Sequence, residues 1–270
     1  MNDQTFPSVA AEDQRVRVGG DDIAVRWLSA RGAAPDAPVI VFLHEGLGSI
    51  GMWMDFPQKL IAALDCRGLI YERNGHGRTL PIRAPRAHSW MHDEAWQVLP
   101  ALLECLGVVR PVLFSHSDGA TIALLYASRF KPRGVVSEAA HIYMDELAQN
   151  GLDKVEAQRR KGSMRDFLKQ FHPGDHDAMV GAWLDFWREG CTRNWNMVAE
   201  LAGISCPLLA IQGELDEYGT TRQLDDIVAG VGGPAERLLI PGCGHVPHLQ
   251  AEELVFRTSV RFIRPLLSNP

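Results

Sequence analysis

Three side chains suited to moving a proton and attacking a carbonyl stand behind three separate apolar runs. The first run, Val112-Leu113-Phe114, leads into Ser115-His116-Ser117-Asp118-Gly119-Ala120 and then into helix-forming Thr121 to Phe130. A serine in an abrupt strand-to-helix turn is held above the sheet, and small residues two before and two after it let strand and helix approach. Ser117 is therefore the candidate nucleophile; Ser115 stands where glycine is commonest. A hydroxyl attacks poorly unless a neighbouring base takes its proton, and that base needs a carboxylate to orient it. Asp216 follows the run Leu208 to Ile211 in Gly213-Glu214-Leu215-Asp216, and His245 follows Arg237 to Ile240 in Pro241-Gly242-Cys243-Gly244-His245. The order serine, acid, histidine is the one this strand-and-helix context uses.

A second carboxylate competes for the orienting role. Glu138 follows Gly134-Val135-Val136-Ser137 at the end of another apolar run. Asp216 is favoured, but a triad is defined by geometry, and both positions can reach the base. Acyl transfer also places negative charge on the former carbonyl oxygen, which requires fixed N–H donors. The loop Leu43-His44-Glu45-Gly46-Leu47-Gly48 supplies one candidate in the N–H of Gly46, and the N–H of Asp118 just after Ser117 supplies another. A Glu45 carboxylate beside that charge would be unfavourable, so its side chain is expected to turn away to a hydrogen-bonding partner. Asp118 is expected to interact with its own helix N-terminus.

The elements that must position these groups are legible as punctuation and period. Arg15 to Val18 and Ile23 to Trp27 flank Gly19-Gly20-Asp21-Asp22 and predict an antiparallel hairpin. Val39 to Leu43 is an unbroken apolar run, expected of a strand buried on both faces. Runs of the same kind recur at 68–71, 111–114, 134–136, 208–211 and 237–240, with mostly helical patterns between them. Strand alternating with helix predicts an α/β fold with a mostly parallel, doubly wound sheet. Residues 141–203 break the rhythm with helical patterns in place of a single crossover. They predict a helical cap inserted into a core of 1–140 and 204–270. Trp183, Phe186, Trp187 and Trp195 are expected to pack that insertion onto the body, with some lining a pocket. A last helix is expected from about Ala251 to Leu267.

Composition narrows the function classes. The chain has 270 residues, 46% of them hydrophobic and 22% charged, as in an ordinary globular protein. A formal charge of -6 and the lack of any long basic run give no electrostatic footprint for nucleic acid. Arg159, Arg160 and Lys161 are expected on a solvated helix face. The absence of long apolar stretches predicts no membrane association and a cytoplasmic location. Five scattered cysteines, Cys66, Cys105, Cys191, Cys206 and Cys243, lack C-x-x-C spacing and suit a reducing compartment. The spacings of His88, His92, His172, His176 and His248 spell no metal motif, and the glycines spell no dinucleotide motif. No metal and no cofactor are expected.

With the loop His44-Glu45-Gly46, the stretch Arg73-Asn74-Gly75-His76-Gly77-Arg78, the Ser117 turn, Gly213-x-x-Asp216 and Gly244-His245 in view, the chain resembles the α/β-hydrolase superfamily. The resemblance runs from about residue 14 to the end. It is to the serine-hydrolase branch with a helical cap between the sixth and seventh strands. It implies a small-molecule acyl substrate cleaved through an acyl-enzyme on Ser117, with a carboxylic ester as the leading expectation. Thioester, lactone and carbon–carbon bond hydrolysis use the same constellation. A non-catalytic ligand-binding protein and a cofactor-free dioxygenase, some of which carry a similar S-H-S-x-G turn, are the alternatives from other classes.

Overall fold

A computed structural model describes residues 8–188 and 195–268; Cys191 lies outside them. Eight strands, β1 (Val9–Val18), β2 (Asp21–Ala30), β3 (Val39–Leu43), β4 (Arg67–Tyr71), β5 (Val112–His116), β6 (Gly134–Glu138), β7 (Leu208–Gly213) and β8 (Ala235–Ile240), form one sheet. Their order is β1-β2-β4-β3-β5-β6-β7-β8. Pairing is antiparallel from β1 to β2 and β2 to β4 and parallel from β4 onward. The hairpin is longer than its sequence signal. Gly19 and Gly20 both have positive φ, 54° and 93°, as a two-residue hairpin turn requires. The outer half of β1 is solvent-facing, so it lacks the alternation that marks a half-buried strand.

Every residue of β3, β5, β6 and β7 is buried, which is why these strands read as continuous apolar runs. Alternate side chains enter different layers. Ile40, Phe42, Val112 and Phe114 pack with Phe56, Leu60, Val255 and Phe262 from helices Phe56–Leu64 and Glu252–Ser268. Val41, Leu43 and Leu113 face the opposite layer with Leu99, Leu102 and Ala123 from helices Leu99–Cys105 and Asp118–Arg129. Helices on both faces fix the parallel strands, so their carboxyl ends open on one common edge.

Between β6 and β7 lie the helices Glu146–Lys161, Arg165–Leu168, His176–Arg188 and Val198–Leu201. The expected basic face ends the first of these, where Arg159 pairs with Asp177 at 3.0 Å and Arg160 with Glu156 at 2.6 Å. Among the described residues no helix is long and apolar enough to cross a membrane.

Candidate active site

Ser117 sits between the last residue of β5 and the first residue of its helix with φ 53° and ψ -121°. A non-glycine residue there carries strain of about 1–3 kcal/mol, and the surroundings must hold it. They do so on three sides. The Ser117 N–H donates to the Glu138 carbonyl at 2.9 Å, and its own carbonyl accepts from the N–H groups of Ala120 and Thr121. A Cβ on Gly119 would collide with the carbonyl oxygens of Leu43 and His44, so only glycine allows the helix to seat against β3. Ser115 fills its position with a bond: its hydroxyl donates to the Val136 carbonyl at 2.8 Å and ties β5 to β6.

The turn delivers the Ser117 hydroxyl to His245. Oγ donates to His245 Nε2 at 3.0 Å, and Nδ1–H on the other side of the ring donates to Asp216 Oδ1 at 2.8 Å. The tautomer follows from the carboxylate, which can only accept while ionised. Burial alone would raise the Asp216 carboxyl. His245, His141 and the Tyr218 N–H at 2.9 Å outweigh that and hold it below the usual carboxylate range. Gly213 is dictated by the same assembly, since a Cβ would meet the carbonyls of Cys243 and Gly244 in the loop that carries His245.

Glu138 is placed elsewhere. Its carboxylate accepts from His248 Nδ1 at 2.7 Å in a fully buried pair, while His245 Nδ1 is hydrogen-bonded to Asp216. His248 had no role in the sequence reading. Its only signal was its spacing from His245, which becomes informative once the short helix Pro247–Gln250 turns it inward.

The 44–48 loop is clamped by Arg73 and His76, which the sequence matches only by resemblance, and by His172, to which it assigns no role. Arg73, buried, donates to the His44 carbonyl at 2.5 Å and to the Glu45 carbonyl at 2.6 Å. His76 Nε2 donates to the Gly46 carbonyl at 2.9 Å, and His172 Nε2 to that of Leu47 at 3.0 Å. Burial pushes both histidines toward the neutral form. Four successive carbonyls are thus occupied. A trans peptide holds its N–H opposite its C=O, so the Gly46 N–H is directed away from Arg73. Gly46 itself packs on the Asp118 carboxylate and the Trp183 indole, which leave no room for a Cβ. Asp118 does not serve its own helix alone as expected: its Oδ2 accepts from Trp183 Nε1 at 2.9 Å and ties helix His176–Arg188 to the Ser117 turn. Glu45 departs from expectation too. It lines the cavity, and its Oε2 stands 3.7 Å from His116 Nδ1, too far for the hydrogen bond that was expected of it. His116 Nε2 in turn donates to the His245 carbonyl at 2.7 Å.

Ser117 and His245 open into a cavity of about 270 Å³. Its wall is mostly apolar, and half of the residues that line it come from residues 141–203, including Leu152, Val155, Met164 and Leu168; Trp183 and Trp187 also face it. Phe186 and Trp195 instead pack internally, against Trp90 and Trp187. Among the described residues no group of three His, Cys, Asp or Glu side chains is arranged to hold a metal ion.

Comparison with known proteins agrees with this architecture. The 2-hydroxy-6-oxo-6-phenylhexa-2,4-dienoate hydrolase of a Rhodococcus species superposes with a TM-score of 0.77 at 14% identity, covering 95% of this chain and 100% of that one. An enol-lactonase from Burkholderia xenovorans gives 0.70 at 17% identity, covering 92% and 99%. A carboxylesterase from Bacillus subtilis gives 0.67 at 18%, covering 96% and 93%. At these identities the likeness is one of fold. No curated protein matches the sequence. Residues 40–258 match the profile described as Alpha/beta hydrolase family, and the chain belongs to that family.

Proposed function

We propose that this protein is a serine hydrolase that cleaves a small carboxylic ester through an acyl-enzyme, with residues 141–203 as the cap over its site. The observation that carries the reading is the hydrogen-bonded series Ser117 Oγ, His245 Nε2, His245 Nδ1, Asp216 Oδ1 on the cavity floor. In this reading Ser117 Oγ attacks the acyl carbon as His245 Nε2 takes its proton. The oxyanion is met by the N–H groups of Gly46 and Asp118, and the imidazolium is stabilised by the Asp216 carboxylate. His245 then protonates the departing alkoxide. A water, deprotonated by the same nitrogen, attacks the acyl-enzyme and returns Ser117 to its resting state. Four described cysteines, Cys66, Cys105, Cys206 and Cys243, are unpaired, which supports a reducing, cytoplasmic location.

The test is a panel of aryl esters, thioesters and lactones assayed with wild type and Ser117→Ala, beside oxygen uptake on aromatic hydroxy-ketones. Ester turnover with a burst of one alcohol per site is expected. It should fall about a thousandfold or more in Ser117→Ala. Oxygen consumption without ester turnover would overturn the reading.

A further inference from the structure

The wall of the cavity has a direction. Ala148, Leu152 and Val155 lie on one face of helix Glu146–Lys161 and all line the cavity, a stripe of about 10 Å at the helical rise. Gln158 stands one turn further on at its end. Against this apolar stripe stand three carboxylates and three imidazoles. Glu45, Asp118 and Glu217 line it with the imidazoles of His116, His141 and His245; among the described residues no Lys or Arg does. Burial would raise the Glu45 carboxyl, and the His116 ring beside it outweighs burial and holds that carboxyl below its usual range. Three carboxylates therefore face this space, and the buried Arg86 that acts on Asp118 stands behind the wall and does not line it. Glu217 is exposed and stands where the cavity meets solvent.

An anionic group entering this space would lose its hydration to an apolar surface and approach like charge, with no cation on the described wall to compensate. A hydrocarbon chain would lose nothing and bury apolar area. We infer that the ester cleaved here carries an uncharged, apolar acyl chain laid along Ala148, Leu152 and Val155, and that acyl groups ending in a carboxylate are excluded. This rests on the serine-hydrolase reading for the reaction, but the charge preference belongs to the cavity and is measurable without turnover.

The experiment uses three methyl esters of one chain length: methyl octanoate, the monomethyl ester of octanedioic acid, and methyl 8-(trimethylammonio)octanoate. Binding to full-length Ser117→Ala is followed by fluorescence of the tryptophans, two of which, Trp183 and Trp187, line the cavity. Hydrolysis by wild type is followed by proton release. Methyl octanoate should bind at least a hundredfold more tightly than the anion, and the cation should bind more tightly than the anion. Glu217→Lys should narrow the gap between neutral and anionic esters at least tenfold, within the one variant. Leu152→Trp should lower the preference for methyl octanoate over methyl acetate at least thirtyfold. Equal binding of neutral and anionic esters, or of anion and cation, would overturn the inference. If the binding order holds while wild type hydrolyses none of the three, the cavity assignment stands and the serine-hydrolase reading falls.

Discussion

Two buried carboxylate–imidazole pairs lie side by side at the carboxyl edge of the sheet, and by distance alone they are twins. Asp216 meets His245 at 2.8 Å and Glu138 meets His248 at 2.7 Å. The surroundings differ. The second nitrogen of His245 reaches a strained serine at the floor of a cavity. His248 is enclosed by Trp53, Phe56 and His116, with ring centroids 4.8, 5.6 and 5.1 Å away, and does not line that cavity. A carboxylate that orients an imidazole is therefore not enough to make a general base. What separates the pairs is the group on the far side of the ring and its access to a substrate.

The sharpest way to break the comparison is to neutralise each acid in turn. Asp216→Asn removes the charge that fixes the His245 tautomer and should lower the turnover of an activated ester by about four orders of magnitude. Glu138→Gln keeps an acceptor for His248 and should change the rate less than tenfold, with circular dichroism excluding unfolding. A severe loss from Glu138→Gln and a mild one from Asp216→Asn would exchange the roles of the two pairs.

The second contrast concerns stability. His248→Ala leaves the Glu138 carboxylate buried without its partner and should cost about 3–5 kcal/mol, read by urea unfolding. The rate per folded molecule should stay within tenfold of wild type. An unchanged unfolding midpoint would mean that the Glu138–His248 pair contributes nothing to the native state.

These twins also show where a sequence can be read and where it cannot. Burial on both faces imposes continuous apolar runs, so Val39 to Leu43 announces its strand directly. Ser117 and Asp216 each follow such a run and His245 follows the partly exposed β8, so order and spacing suffice to nominate them. Order cannot separate Asp216 from Glu138, because both follow parallel strands, and the choice between them is made by long-range packing. The same applies to Arg73, His76 and His172. Their work is to occupy carbonyl oxygens 28, 30 and 125 positions away in the chain. Such bonds leave no periodicity. The outer half of β1 went unread for another reason: a solvated strand has no buried face to write a pattern.

The clamp yields a smaller effect. Arg73→Lys keeps the charge but cannot hold two successive carbonyls with one fork. The 44–48 loop should loosen, lowering kcat by roughly ten- to a hundredfold with little change in KM, as expected when a transition-state donor is misplaced. A change confined to KM would place the loop in substrate binding instead.

The smallest effect is pH-dependent and belongs to His116, which stands between the two pairs, donating to the His245 carbonyl and packing 5.1 Å from the His248 ring, while its other nitrogen faces Glu45. Burial lowers the affinity of this ring for a proton. Glu45 and, more remotely, Glu138 outweigh it, and the folded pKa lies above the ordinary histidine value. A raised pKa stabilises the fold fully below about pH 6.5, the unfolded value, and the contribution is lost as pH rises through the folded value. His116→Gln should therefore destabilise by about 2 kcal/mol at pH 6 and by less at pH 9. A gap that stays constant between the two pH values would show that no proton on His116 is involved.

The central claim is that Ser117 is activated by His245, and covalent labelling tests it without knowledge of the substrate. An organophosphate or sulfonyl fluoride should react stoichiometrically with wild type, lose that reactivity in His245→Ala, and leave its adduct on Ser117 by peptide mass spectrometry. An adduct on Ser115, or a Ser117 no more reactive than an ordinary surface serine, would contradict it.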